Sequence, residues 1–495
     1  MRENPRLYEI NTALWLHGLR ERYGRELTIG KVPPQEWDRL KARGFDYVWL
    51  MGVWKRSRRA IEIFRAEPEF ASFKALFDSV LPGWTEDDLI GSPYSIASYS
   101  PDPLIGDWED IESVRRELHR RDMGLVLDFV PNHTAPDYPW VKSHPEYYLQ
   151  GTEDDFKREP ISFTPVKTDG KTLYMFRGKD PFFPPWTDTL QLNYFNSDMR
   201  TALVGEMKRL AGHADGLRCD MAMLVLNDIF RGTWGQAAPP GYPPGYPKEE
   251  FWGMARRALP GTLLIAEAYW ETEGKLLGLG FDYVYDKVLY DRLRGAAPRE
   301  VYMHLQADIA HQRRLVRFIE NHDEPRSAET FGPGALRAAA VLLSTLPGMR
   351  LYHQGQLEGR EIRVPVQLRR VRPEAPDQEL EAFYERLLSI TRAEVFSSGK
   401  WELKDAAPAG DDTSGNLIAY VWKSDRQVKL VVVNLSGNTS QGRISLSREA
   451  SADAGYTLFD ELNDRRYERN REDMAGLHVV LKGHQSHIFD ISGKR

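Results

Sequence analysis

Between Leu7 and Arg392 the chain repeats one pattern: a short apolar run, then a stretch with helical spacing. The runs are Leu7–Thr12, Asp46–Val53, Gly124–Val130, Gly216–Asp220, Thr262–Ala268, Phe281–Tyr285, Leu315–Ile319 and Met349–His353. Several are apolar without alternation, as strands buried on both faces must be. Helical spacing falls at Pro34–Arg43, Asp107–Arg121, Asp198–Leu210, Lys248–Leu259, Ala335–Leu346 and Gln378–Arg392. Alternation of this length demands a parallel sheet, and eight units favour closure into a (β/α)8 barrel over an open, doubly wound sheet. Polar residues at the ends of several different runs point the same way, because a barrel builds its active site at the C-terminal ends of its strands.

Three stretches break the rhythm. Trp54–Asp88 is a charged insertion, expected to be helical in part. Asn132–Asn196, rich in Pro, Asp, Tyr and Phe, reads as an excursion after the third strand, and Thr233–Lys248 as a Pro- and Gly-rich loop. From about Val395 short alternating runs lie between Gly, Asn and Asp turns, at Leu417–Trp422, Val428–Asn434, Gly442–Leu446, Tyr456–Phe459, Leu477–Leu481 and His487–Ile491. They predict a C-terminal antiparallel β-sandwich. The expected division is a barrel over 1–131 and 197–393, an excursion over 132–196, and a sandwich over 394–495.

Composition narrows the function classes. The net charge of -6 argues against nucleic acid and anionic membrane surfaces as partners. The sequence has no apolar run of about 18 residues, so no membrane span is expected. The start lacks the apolar run of a signal peptide, which makes a cytoplasmic location the simplest expectation. Cys219 is the single cysteine, which excludes an intramolecular disulfide and a cysteine metal cluster.

Four run ends carry acids. They are Asp128 in Asp128-Phe129-Val130-Pro131-Asn132-His133, Asp220 after Arg218, Glu267 in Ala266-Glu267-Ala268-Tyr269-Trp270, and Asp323 in Asn321-His322-Asp323. A closed barrel brings such ends together. Clustered carboxylates repel, so the site divides into an ionised base and a protonated acid, the division that cleavage of a glycosidic bond requires. Asp220 beside the Arg218 cation is expected to be ionised. Glu267, after an apolar run and before two aromatics, is expected to be the protonated acid.

In order and placement these four motifs resemble the conserved regions of the α-amylase family, glycoside hydrolase family 13. The resemblance implies Asp220 as nucleophile, Glu267 as general acid/base and Asp323 as the carboxylate that orients the sugar. It implies that His133, Arg218 and His322 hold the sugar at the cleavage point and that Tyr94 stacks on its ring. Asp128 would brace the site by a hydrogen bond to Arg218. Gln191-Leu192-Asn193 resembles the motif that closes the family's excursion.

Bland readings stand beside these. His133 and His322 could be ordinary core histidines, and Asp128 is structural more than chemical. Glu320 could point either way, and Cys219 should face the barrel wall, inert. Trp234, Tyr242 and Tyr246 could line acceptor subsites or simply pack a loop rim.

Departures bear on the substrate. Many α-amylases carry Lys-His three and four residues after the nucleophile, where this chain has Met223 and Leu224. That puts long-chain starch and the family's calcium site in doubt. Asn132 alone cannot supply the 6–8 oxygens that calcium takes, so no metal and no cofactor is expected. The expected substrate is a small α-glucoside or short maltooligosaccharide, cleaved with retention. A transglycosylase would use the same triad. A non-catalytic, amylase-like scaffold is a further alternative, which the presence of all three acids disfavours.

Overall fold

The computed structural model describes residues 3–168, 170–237, 247–447, 449 and 455–493. Eight parallel strands close into a barrel. In chain order they are β1 (Arg6–Asn11), β2 (Tyr47–Met51), β3 (Gly124–Phe129), β4 (Gly216–Cys219), β5 (Leu263–Ala266), β6 (Tyr283–Tyr285), β7 (Leu315–Arg317) and β8 (Met349–His353). Every expected run but the first contains its strand, trimmed by a residue or more at most ends; β1 begins one residue before its run, at Arg6. β1 pairs with β8 and so closes the ring.

Register decides which side chains share the lumen. Arg218 on β4 lies opposite Asp128 on β3 and Ile265 on β5, so the three project to one side. Trp49, Ile265, Tyr285 and Phe318 form an apolar plug inside the ring. Cys219, Phe129 and Ala266 face outward into the layer packed under the helices, where Cys219 is buried and burial pushes its thiol up.

Helix Thr12–Tyr23, capped by the Asn11 side chain, follows β1 in a stretch the sequence reading left unassigned. The expected helix Ala335–Leu346 begins earlier, at Ser327, because a break at Gly332 (φ 69°) and Pro333 joins two helical pieces. The insertion after β2 holds helices Arg58–Ala66 and Phe70–Val80. The excursion after β3 carries a three-stranded sheet of Gln150–Gly151, Lys171–Phe176 and Phe163–Thr168. Gln191 pairs back onto His133 and so returns the chain to the barrel mouth.

Beyond the barrel, a six-stranded and a three-stranded antiparallel sheet enclose a separate apolar core. The six-stranded sheet has edge strands at Lys400–Lys404 and Arg465–Arg469 that the sequence reading missed. Both are rich in Lys, Arg and Glu, the charges that keep a sheet edge from pairing with another chain. This sheet docks on the helix before β8 through Trp422 Nε1, which donates to the Thr345 carbonyl at 2.7 Å.

Candidate active site

Arg218 organises the site. It is fully buried, and its guanidinium lies over the rings of Trp49, Tyr94 and Tyr285. Nη1 donates to Asp220 Oδ1 at 2.7 Å. Nη2 lies 2.8 Å from Glu267 Oε2, an ion-pair distance at an angle that makes no hydrogen bond. One cation therefore touches two carboxylates from adjacent strand ends.

The two carboxylates have different company. Glu267 also accepts from the Met221 backbone N–H at 2.7 Å and from the Tyr269 hydroxyl at 2.7 Å. Met221 makes its contact from a left-handed backbone, φ 42° and ψ 46°, an unusual conformation for a residue other than glycine. Burial and the charge of Glu267 push the Asp220 carboxyl up to about 8, against the pull of Arg218. This differs from the expected division, in which Asp220 stays ionised. The reason is that burial and the neighbouring Glu267 charge outweigh the one hydrogen bond that Arg218 gives it.

Across the cavity, His322 Nε2 lies 3.0 Å from Asp323 Oδ2 and 2.6 Å from the Tyr94 hydroxyl. Its Nδ1 meets Glu9 Oε1 at 2.5 Å. Burial disfavours the imidazolium, but Asp323 and Glu9 outweigh it and raise His322 well above the usual histidine range. Burial likewise works against the Asp323 carboxylate, and the His322 charge holds it well below the ordinary range. His133 has no such partner, and burial lowers it to about 4, which keeps it neutral. A neutral imidazole can both donate and accept toward a hydroxyl.

Asp128 departs from the expected bracing of Arg218. Its oxygens accept from Trp49 Nε1 at 3.0 Å and the Gly52 N–H at 2.8 Å, while Arg218 is turned toward Asp220 and Glu267. Burial raises this acid to about 6, with Arg218 acting on it only through space. Glu320 takes no part in the cavity. It accepts from the Ser327 backbone N–H at 2.8 Å and hydroxyl at 2.6 Å and pairs with Arg326, fixing the start of the helix before β8.

These groups line a cavity of about 580 Å³, with Tyr94, His133, Asp220, Glu267 and Asp323 in its wall. Phe64, Glu67 and Phe73 come from the insertion, and Ile161 and Pro184–Thr189 from the excursion. Arg177 and Glu67 join these two segments by an ion pair of 2.8 Å. Val366 and Gln367, after β8, complete a side of the wall that the sequence reading missed. Trp234 stands apart from it, buried against Phe176. Tyr242 and Tyr246 lie outside the described residues.

Among the described residues no group of three His, Cys, Asp or Glu side chains is arranged to hold a metal ion. Asn132 is a poor fit for calcium, because Gln191 Nε2 donates both to its carbonyl at 2.9 Å and to its Oδ1 at 3.0 Å. Met223 and Leu224, at the positions where Lys-His is common, are buried in the core. Among the described residues no helix is long and apolar enough to cross a membrane.

Sequence reasoning missed Glu9, Trp49 and Tyr285. Glu9 was readable only as an acid in an alternating strand, and the aromatics only as members of apolar runs.

Comparison with known proteins agrees with this geometry. The family description "Alpha amylase, catalytic domain" matches residues 35–232, which include Asp128, His133, Arg218 and Asp220. Alpha-amylase 3 of Dictyoglomus thermophilum is 24% identical over 292 residues, covering 53% of this chain and 52% of that protein. The 1,4-alpha-glucan branching enzyme GlgB of Thermobifida fusca is 27% identical over 397 residues, covering 70% of this chain and 48% of that one. The chain thus spans about half the length of the curated relatives it matches. Among solved structures, the noncanonic maltogenic alpha-amylase AmyB from Thermotoga neapolitana shares the fold with a TM-score of 0.70 at 22% identity, over 99% of both chains. Glu267 and Asp323 fall beyond the matched stretch, and the barrel itself brings them to Arg218 and His322. Residues 35–232 of this chain thus match the catalytic domain of the α-amylase family.

Proposed function

We propose that the protein is a retaining glycosidase that cleaves α-glucosidic bonds in short soluble sugars, such as small α-glucosides or short maltooligosaccharides. The observation that carries this reading is the pair of carboxylates, Asp220 and Glu267, gathered on the single guanidinium of Arg218 in the cavity wall. In the reactive form Glu267 holds the shared proton and Asp220 the charge, and Arg218, touching both, accommodates either placement. Glu267 gives its proton to the departing glycosidic oxygen while Asp220 attacks the anomeric carbon and forms a glycosyl ester. Glu267, now a carboxylate, takes a proton from water, whose oxygen displaces Asp220.

The remaining groups position the sugar. Asp323, kept ionised by His322, accepts from ring hydroxyls. Neutral His133 and charged His322 supply further hydrogen bonds, and Tyr94 offers its ring to the sugar face. Asp128 acts at one remove, by fixing Trp49 beneath Arg218.

A slow fluorinated glucosyl fluoride tests the mechanism, because it enters the first step readily and leaves the ester slowly. Mass analysis should find the sugar on the peptide containing Asp220. Turnover with no adduct on that peptide would sink the assignment.

A second reading, transfer to a sugar instead of water, uses the same residues. It is supported by the curated relatives, which include a branching enzyme and a maltosyltransferase beside α-amylases. Product analysis from maltose, maltotriose, sucrose and trehalose separates the two. Longer or isomeric sugars mean transfer, and glucose alone from maltose means hydrolysis.

A further inference from the structure

Among the described residues, Phe182, Phe183 and Trp270 are large exposed apolar side chains on two segments that meet. They are 69%, 68% and 38% exposed, and the rings of Phe182 and Trp270 meet edge to face at 4.9 Å. Scattered exposed hydrophobes need no explanation, but a contiguous aromatic patch does. These come from two segments far apart in sequence, and each segment continues directly into the cavity wall. Phe182 and Phe183 precede Pro184–Thr189, and Trp270 follows Tyr269, whose hydroxyl holds Glu267.

The backbone fixes both segments in these positions. Asp180 Oδ1 accepts the N–H groups of Phe182 at 2.6 Å and Phe183 at 2.9 Å, a turn that pins the two rings at its tip. Trp270 and Glu271 both hold left-handed conformations, φ 61° and 60°. For a side chain as bulky as tryptophan that is an outlier, and such strain gathers at ligand-binding positions. Tyr269 is anchored just before it, its carbonyl accepting from the Thr272 hydroxyl at 2.7 Å.

We infer that Phe182, Phe183 and Trp270 form a subsite for the leaving-group half of the substrate, and that this subsite takes an apolar aglycone or acceptor, an alkyl or aryl alcohol. The inference rests on the proposed role of Glu267. The group that Glu267 protonates must lie on its side of the cleaved bond, and Trp270 is on the same loop. The apolar preference follows from the surfaces on offer. The two phenyl rings carry no hydrogen-bonding atom, the Trp270 indole offers a single N–H, and the edge-to-face packing of Phe182 on Trp270 makes a notch instead of the flat face that a sugar ring would stack on. A second sugar in that notch would leave most of its hydroxyl groups without partners from these rings, whereas an alkyl or aryl group would remove apolar surface from water on both sides.

The test compares methyl α-glucoside, hexyl α-glucoside and maltose as substrates. The first two have the same alkoxide chemistry and differ in apolar length alone. The wild-type protein should favour hexyl over methyl by roughly tenfold in kcat/KM, chiefly through KM. Phe182→Ala combined with Phe183→Ala, on an exposed turn, should bring that preference near parity and leave the ratio of maltose to methyl α-glucoside in place. A wild-type preference that is absent, or that survives the double substitution, overturns the subsite. A maltose ratio that falls together with the hexyl ratio means the rings stack on sugar, and overturns the apolar assignment. Turnover of α-glucosyl fluoride by the wild-type protein, which needs no aglycone, checks the underlying reading separately. If the fluoride is not processed, the glycosidase proposal fails and this inference falls with it.

Discussion

Glu9 Oε1 lies 2.5 Å from His322 Nδ1, a contact between residues 313 apart in the chain. β1 and the segment after β7 are separated in the ring by β8 alone, so barrel closure brings the two together. The contact places an anion behind the imidazole and leaves Nε2 facing Asp323 and Tyr94. A raised histidine favours the fold below its unfolded pKa, about 6.5, and that support is lost as pH rises through the higher folded value. The same proton helps hold the Asp323 carboxyl well below its ordinary range.

Replacing Glu9 by Gln keeps a hydrogen-bonding group of nearly the same shape and removes the charge. His322 should then lose its proton at lower pH. The alkaline limb of the kcat/KM profile is expected to move down by about 1 in pH. A limb that stays in place, with activity lost uniformly across pH, would mean that Glu9 serves packing alone.

A substitution at Asp220 separates chemistry from stability. Asp220→Asn cannot form the glycosyl ester, and activity should fall by about 10³ or more. Its effect on stability runs the other way. The folded carboxyl is raised to about 8, above its unfolded value of about 3.8. Between these values the native state binds the proton more tightly than the unfolded chain does, so stability from this group is present at low pH and lost as pH rises. The amide has no charge to bury. Its melting temperature should exceed that of the wild type by about 2–4 °C at pH 8, and the two should converge near pH 4. A difference that is largest at pH 4 would contradict the placement of the proton.

The sequence made the strands and the chemistry-bearing strand ends legible because each is a local pattern. Asp128, Asp220, Glu267 and Asp323 each lie near or beyond the C-terminal end of a strand, and a barrel puts such ends on one face. The sharing of Arg218 was not legible, since it depends on the angle at which two neighbouring strands present their acids. Trp49 was read as core, and it is core; only the position of its indole nitrogen makes it the anchor of Asp128. The Val366–Gln367 wall had no signal at all, because its place comes from backbone pairing of Ile90 N–H with the Gln367 carbonyl at 2.8 Å.

Leaving-group chemistry tests Glu267. Glu267→Gln retains an acceptor for Met221 N–H and loses the proton needed by a poor leaving group. Turnover of maltose should drop by about 10²–10⁴. The first step with α-glucosyl fluoride needs no such proton and should be far less affected. Burst kinetics on the fluoride read that step directly, and equal losses on both substrates would remove Glu267 from the acid's role.

Under the proposed function, access to the cavity decides which sugars reach these groups. A polymer cut internally must leave the cleavage point on both sides, so its enzyme needs an open cleft. Here the insertion and the excursion meet across the Glu67–Arg177 ion pair, whose side chains are 18% and 10% exposed. Glu67 is also part of the cavity wall. Under the proposed function, a wall tied in this way would exclude further units by steric contact, whatever their affinity. The protein should therefore process disaccharides and small glycosides and leave amylose almost untouched. Glu67→Ala removes the tie, and the activity on maltoheptaose relative to maltose should rise about threefold to tenfold as the wall loosens. A rapid fall in the viscosity of soluble starch with little glucose released, given by the wild-type protein, would refute the closed wall.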